Sequence, residues 1–469
     1  MTAEILSAWA QVENCLVRDC RKEPDFDMDD KKQIKEEKRE VRRRRRIQNQ
    51  ILAYLVLILL ILAVAGGIVF TVGQITAAIR QREEIQEENQ AKLEDLFADE
   101  GEIEIEVPSP TPEPPVELTY EEKLDEIVDA AIEAMPLENK VAGLFIVTPE
   151  AITGVSKAVQ AGEGTKNALD EYPVGGLVYF SQNIKSEEQI TEMLKNTAAY
   201  SITPLFLAVD EEGGSVARLA DAGIIEPVDG AQAIGATGDA GNAYNAGVTI
   251  GAALNNIGFN LDFAPVADIT SVENSVMTGR AYGSDAATAA PFVAAMVKGL
   301  KEQNITTCLK HFPGNGATDD DAHSVIAISD RTAEGFRAEE FAVFKAGIDA
   351  GADMIMMSHM AVPAFTGDNT PCSLSKEVVT DILRNELGFK GVIITDALNM
   401  SAISEYNSSA DAAVTAIKAG CDMLLMPENF EEAYNAVLQA VQDGVISEER
   451  INDSLRRVYR IKYADRVAE

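Results

Sequence analysis

Ile305-Thr306-Thr307-Cys308-Leu309-Lys310-His311-Phe312-Pro313-Gly314-Asn315-Gly316-Ala317-Thr318-Asp319-Asp320-Asp321-Ala322-His323 shows the plan of the chain in miniature. A short apolar run delivers Lys310 and His311 into a Pro/Gly turn, and carboxylates with a second His follow at once. The same plan recurs. Apolar runs fall at Val141–Val147, Gly176–Phe180, Leu205–Val209, Leu261–Val266, Thr306–Leu309, Asp353–Met357, Val392–Thr395 and Met423–Met426. Between them lie amphipathic stretches of helical length, such as Ser186–Ala198, Ala286–Glu302, Glu334–Ala350 and Asp411–Ala419. Short buried runs alternating with helices indicate a parallel sheet covered on both faces. Eight such units predict an α/β fold, a (β/α)8 TIM-type barrel, which typically takes about 250 residues or more. A doubly wound open sheet is the alternative. Against it, no G-x-G-x-x-G follows the first run, and polar residues close nearly every run. The C-terminal ends of the strands are where a barrel keeps its site.

Outward from this core the chain changes character. Residues 1–50 are polar and end in the basic block Arg42-Arg43-Arg44-Arg45-Arg46. From Ile51 to Ile79 no residue is charged, and a hydrocarbon core about 30 Å thick needs roughly 20 apolar residues to span it. We therefore expect a transmembrane helix over residues 51–79, with the lipid bilayer as its partner. Basic residues before it and Glu83, Glu84, Glu87 and Glu88 after it place residues 1–50 in the cytoplasm and the remainder outside. The apolar run and its leader are too long for a cleaved signal peptide. Residues 80–117 read as an acidic, Pro-rich stalk, since such sequence buries no core. Residues 118–469 form the barrel domain, with no second globular domain expected. The formal net charge of −36 argues against nucleic acid as a partner, because phosphates would be repelled. Five Cys without C-x-x-C spacing give neither a disulfide framework nor a metal site.

The residues at run ends form a chemically coherent set: Asp210 with Glu211, Glu212 and Arg218; Asp268; Arg280; Lys310 and His311; Asp321 and His323; His359; Asp396. The chain has only 3 His, all in one short region. Carboxylates, imidazoles and cations gathered on one rim suit a polyhydroxylated ligand and an oxocarbenium-like centre. Asp396, at the end of Val392-Ile393-Ile394-Thr395, suits a nucleophile on a rigid strand. It equally suits an N-cap for the Ala397–Ile403 segment. Asp321 and His323 are two apart, so in an extended loop the carboxylate orients the imidazole as a general acid/base. A solvated acidic loop is the alternative. Calcium-loop and zinc patterns are lacking, so no metal or cofactor is expected. Serine-hydrolase, P-loop and kinase signatures are also missing.

These motifs together resemble glycoside hydrolase family 3, in its single-domain, NagZ-like β-N-acetylglucosaminidase branch. The resemblance covers roughly residues 120–465. It is carried by Asp210-Glu211-Glu212-Gly213-Gly214-Ser215-Val216-Ala217-Arg218, by Phe263-Ala264-Pro265-Val266-Ala267-Asp268 and by Gly279-Arg280-Ala281-Tyr282-Gly283. Lys310-His311-Phe312-Pro313-Gly314 with Asp321-x-His323, and Ile394-Thr395-Asp396-Ala397-Leu398-Asn399-Met400, complete it. Together with the expected span, it implies a membrane-anchored, exo-acting, retaining β-N-acetylhexosaminidase acting on GlcNAc-containing glycans or muropeptides. Asp396 would match the nucleophile, His323 the acid/base and Asp321 its partner. Asp210, Arg218, Arg280, Lys310 and His311 would match the residues that hold N-acetylglucosamine. Asn315, Ala317 and Ala322 depart from the family's usual His, Asp and Ser around the dyad. Two other classes stay open: a sugar-binding protein on a stalk, and a β-glycosidase for another sugar.

Overall fold

The computed structural model describes residues 118–272, 275–318 and 326–467. The expected cytoplasmic segment, the span over 51–79, the stalk, and Asp321 with His323 lie outside the described residues. Among the described residues no helix is long and apolar enough to cross a membrane.

Each expected apolar run contains a strand or lies within one. In chain order these are β1 (Phe145–Val147), β2 (Gly176–Val178), β3 (Phe206–Val209), β4 (Glu211–Gly213), β5 (Val216–Ala217), β6 (Leu261–Asp262), β7 (Thr306–Phe312), β8 (Met354–Met357), β9 (Val392–Ala397) and β10 (Met423–Leu425). Eight of them close a parallel barrel in the order β1-β10-β9-β8-β7-β6-β3-β2, while β4 and β5 form a small antiparallel hairpin on its rim. Strand residues alternate between two destinations, as the pleat requires. Ile146, Val178, Phe206, Phe263, Met356 and Ile394 fill the barrel interior. Phe145, Val147, Leu177, Leu207 and Ile355 instead join the layer packed under the helices.

Local signals set the helix starts. The hydroxyl of Ser186 accepts from Gln189 N at 3.2 Å, and the Asp285 carboxylate accepts from Thr288 N at 2.9 Å, each satisfying an orphan donor of a first turn. Two expectations about length are corrected. Val141 and Ala142 end a short helix, Leu137–Ala142, so the first strand starts only at Phe145. The single helix expected over Glu334–Ala350 is two, Ala333–Ala338 and Glu340–Asp349. The break has a cause. Glu339 (φ −118°, ψ −76°) turns to accept from Ala286 N at 2.7 Å, and Glu340 is carried inward to full burial.

The base of the barrel, at the strands' N-terminal ends, is pinned by charge. Fully buried Asp422 accepts from Arg384 at 2.6 Å, Ser454 at 2.8 Å, Ile393 N at 2.9 Å and Arg457 at 3.0 Å. Removing one partner from such a cluster typically costs about 3–5 kcal/mol. The last long helix, Glu448–Lys462, also carries the first, Tyr120–Glu133. Arg456 pairs with Asp129, Arg460 pairs with Glu121 and Asp125, and the Tyr120 hydroxyl donates to Ala464 O at 2.7 Å. Ala464 lines a crevice of about 700 Å³ together with Pro204, Asn260 and Asp353, each just ahead of a barrel strand.

Candidate active site

At the opposite, C-terminal end of the strands a pocket of about 360 Å³ opens. That volume lies in the range usual for small-molecule sites, about 300–1,000 Å³. Asp210, Arg218, Arg280, Lys310, His311 and Asp396 all line it. The structure thus brings these six expected residues to one pocket, with Glu212 beside them, while Glu211, Asp268 and His359 do not line it.

The polar floor is one connected network. Asp210 follows β3, and the β4–β5 hairpin sends Glu212 back over the barrel mouth. Its turn is Gly213 (φ 85°) and Gly214 (φ 60°), a left-handed pair that favours glycine. Lys310 Nζ lies 2.6 Å from both Asp210 Oδ1 and Glu212 Oε1. Arg280 grips Glu212 in a fork, Nε to Oε2 at 2.9 Å and Nη2 to Oε1 at 2.7 Å. Burial would raise the Glu212 pKa, but the Lys310 and Arg280 cations overcome it and hold the carboxyl at about 2. Lys310 shows the mirror effect: burial pulls its pKa down, yet Asp210 and Glu212 keep it above the usual lysine range.

His311 is held from behind. Asp268, fully buried after β6, accepts from His311 Nδ1 at 2.8 Å, His311 N at 3.1 Å and Asn315 N at 2.6 Å. A carboxylate at Nδ1 assigns the ring proton there, leaving Nε2 as the nitrogen available to a ligand. Lys310 and His311 are neighbours on one strand, and regular alternation would send them to opposite faces. The ladder between β7 and β8 shifts register between Leu309 and Phe312, so both reach the pocket.

Asp396 stands near the end of β9. It is not a helix N-cap, because β9 runs on to Ala397 and the next helix, Ser401–Ser404, starts after Met400. Its Oδ1 accepts from Ala397 N at 2.7 Å. Burial acts to raise its pKa, but His311, His359, that N–H and Lys310 more than offset burial, and the carboxyl lies below the ordinary aspartate value. An aspartate held ionised at a pocket wall has the charge that a nucleophile needs. Arg218 offers the complementary feature. Its guanidinium lies 6.0 Å from the Phe180 ring centroid, and its buried Nε has no hydrogen-bond partner among the described residues.

Several site features escaped the sequence. Glu212 and Asp268 were legible as rim carboxylates but not as the anions that position Lys310, Arg280 and His311. The apolar wall of Phe180, Met400 and Met426 had no sequence signal. Met426 (φ 46°) occupies the left-handed region, a strain that tends to collect at functional sites. His359, expected at the rim, is fully buried beneath it. The hydroxyl of Ser329 donates to Ala317 O at 2.8 Å and that of Thr318 to Ile328 O at 3.2 Å. The chain on either side of residues 319–325 is therefore stapled together. Among the described residues no group of three or more His, Cys, Asp or Glu is arranged to hold a metal.

Residues 136–461 match the model of the "Glycosyl hydrolase family 3 N terminal domain". The chain belongs to glycosyl hydrolase family 3. Beta-hexosaminidase A of Pseudoalteromonas piscicida is 31% identical over 323 residues, 63% of this chain and 54% of that protein. A beta-hexosaminidase of Stenotrophomonas maltophilia is 35% identical over 282 residues, 57% of this chain and 81% of the relative. Among solved structures, a glycoside hydrolase family 3 beta-N-acetylglucosaminidase from Paenibacillus sp. str. FPU-7 superposes with a TM-score of 0.67 at 34% identity. That match covers 71% of this chain and 63% of the other. The family 3 chain described here spans about half the length of the first curated relatives it matches.

Proposed function

We propose that this family 3 chain is a retaining, exo-acting β-N-acetylhexosaminidase that removes terminal β-GlcNAc from peptidoglycan-derived or related glycosides. The observation that carries the reading is the pocket at the barrel mouth, where an ionised Asp396 faces the Asp210–Lys310–Glu212–Arg280 network and His311. The family's relatives named beta-hexosaminidases support the sugar. In the proposed reaction the Asp396 carboxylate attacks the anomeric carbon as the aglycone oxygen leaves, forming a covalent glycosyl-enzyme. His323, paired with Asp321, gives a proton to that oxygen and then takes one from the attacking water. Asp210, Arg218, Lys310 and His311 hold the sugar hydroxyls and acetamido group, with Arg280 fixing the floor through Glu212.

The test is hydrolysis of aryl β-GlcNAc by the purified full chain between about pH 5 and 8, where an imidazole acid/base is poised. Release of the aryl group with a trappable Asp396 adduct is the expected result. No release over that range overturns the hydrolase reading, and a panel of other aryl β-glycosides reports the sugar preference.

We also propose that residues 51–79 anchor the chain in a membrane with its catalytic domain outside the cytoplasm. The uncharged run and the basic block before it support this reading. Resistance to alkaline extraction, together with protease access to the domain in intact cells, tests it.

A further inference from the structure

His359 has no role in the reaction just described, yet both its ring nitrogens are engaged. It follows β8, is 0% exposed, and lies between two partners. Nε2 is 3.0 Å from Ala397 O, and Nδ1 is 2.8 Å from Ser373 Oγ. A carbonyl oxygen only accepts, so Nε2 carries the ring proton. Nδ1 is then the acceptor, and the Ser373 hydroxyl donates to it. Burial pushes the imidazole pKa below its ordinary value, against the pull of the nearby Asp396 carboxylate, which favours the neutral ring.

The carbonyl it grips belongs to the residue after the nucleophile. Ala397 donates its N–H to Asp396 Oδ1 at 2.7 Å and offers its C=O to His359 at 3.0 Å. The next two residues are tied to β10, Leu398 N to Leu425 O at 2.9 Å and Asn399 N to Met426 O at 3.0 Å. Ser373 is anchored in turn: its N–H donates to Ser358 O at 3.0 Å, and its carbonyl accepts from the Cys421 thiol at 3.5 Å. The path runs without a gap from Ser373 through His359 and Ala397 to the carboxylate.

We propose that His359 is a positioning residue, a neutral imidazole clamp that holds the Ala397 carbonyl and thereby fixes the direction of the Asp396 carboxylate, with the Ser373 hydroxyl bracing its other nitrogen. The clamp rests on the reading of Asp396 as nucleophile. A buried His that only fills space would affect folding. A clamp affects the chemical step with substrate binding intact.

The experiment compares the full chain with His359→Leu, His359→Gln and Ser373→Ala, using aryl β-GlcNAc kinetics, trapping by a 2-deoxy-2-fluoro glycoside and thermal midpoints. Small misplacement of a reacting group costs on the order of 10²-fold, so His359→Leu is expected to lower kcat and trapping rate by about that factor with KM within about threefold. A glutamine amide can donate to Ala397 O where Nε2–H does, so His359→Gln is expected to recover at least about tenfold of the loss. Loss of the Ser373 donor is expected to lower kcat about tenfold, and this variant with His359→Gln decides the matter if the Leu variant does not fold. Unchanged kcat in a folded His359→Leu, or equal loss in Gln and Leu, overturns the clamp.

A second readout needs no turnover. Nitrogen NMR of the histidine-labelled full chain is expected to show one imidazole protonated at Nε2 and bare at Nδ1, absent from His359→Gln. The opposite tautomer, or a doubly protonated ring at neutral pH, overturns the clamp. A parent without hydrolytic activity overturns the hydrolase reading, and the tautomer then judges the clamp separately.

Discussion

Replacing Glu212 by Gln tests the charge network at the pocket floor. Glu212 is 5% exposed and lies between Lys310 and Arg280. Its carboxyl moves from an ordinary 4.5 in the unfolded chain to about 2 in the folded one. Each pH unit of that gap is worth about 1.4 kcal/mol, so the anion contributes roughly 3 kcal/mol of stability. The folded pKa is depressed, so this contribution is complete above pH 4.5 and is lost as pH falls toward 2. Glutamine keeps one acceptor oxygen but leaves Lys310 with Asp210 alone and Arg280 without its fork. Breaking a buried pair from one side costs about 3–5 kcal/mol, of the same order as the titration figure. Urea unfolding of parent and Glu212→Gln at pH 7 and at pH 3 is the assay. The expected result is a gap of roughly 3 kcal/mol at pH 7 that narrows clearly at pH 3. A gap below about 1 kcal/mol at pH 7, the value of an exposed pair, would refute the reasoning. So would a gap of equal size at both pH values.

Asp396→Asn is expected to abolish turnover of aryl β-GlcNAc and covalent trapping together, because the amide cannot attack the anomeric carbon; mass spectrometry of the trapped chain checks it. His323→Ala is expected to lower hydrolysis of poor leaving groups about 10²–10⁴-fold and of activated aryl groups much less, since those leave without a proton. Equal loss on both substrate types, in a leaving-group series, would count against His323 as the donor. Gly316→Ala is expected to destabilise strongly, because its Cβ would lie 1.8 Å from Ile269 O, backbone that cannot step aside. A thermal midpoint equal to the parent's would contradict that packing.

The barrel was legible because its signal is repeated eight times and each instance is short, apolar and closed by polar residues. Thr306–Leu309 and Val392–Thr395 show the reason: fully buried strands need no alternation, so an unbroken apolar run identifies them. Boundaries were less legible where tertiary contact overrides pattern. Nothing local to Glu334–Ala350 announces that Glu339 will reach Ala286 and split the helix. In the site, Asp210, Lys310, His311 and Asp396 were legible because ionisable groups at strand ends are costly without a use. The partnerships of Glu212 and Asp268 were not, since their partners are 98 and 43 residues away or similar, and only closure of the barrel brings them together. The burial of His359 was hidden for the same reason: its two partners come from Ser373 and Ala397, on separate elements.

One further consequence follows from the pairing of the first and last helices. The hydroxyl of Tyr120 meets Ala464 at the base of the barrel, so the described chain enters the domain at its heel rather than at its lip. On the proposed anchored reading, lengthening or trimming residues 80–117 is expected to leave turnover of a small aryl glycoside unchanged.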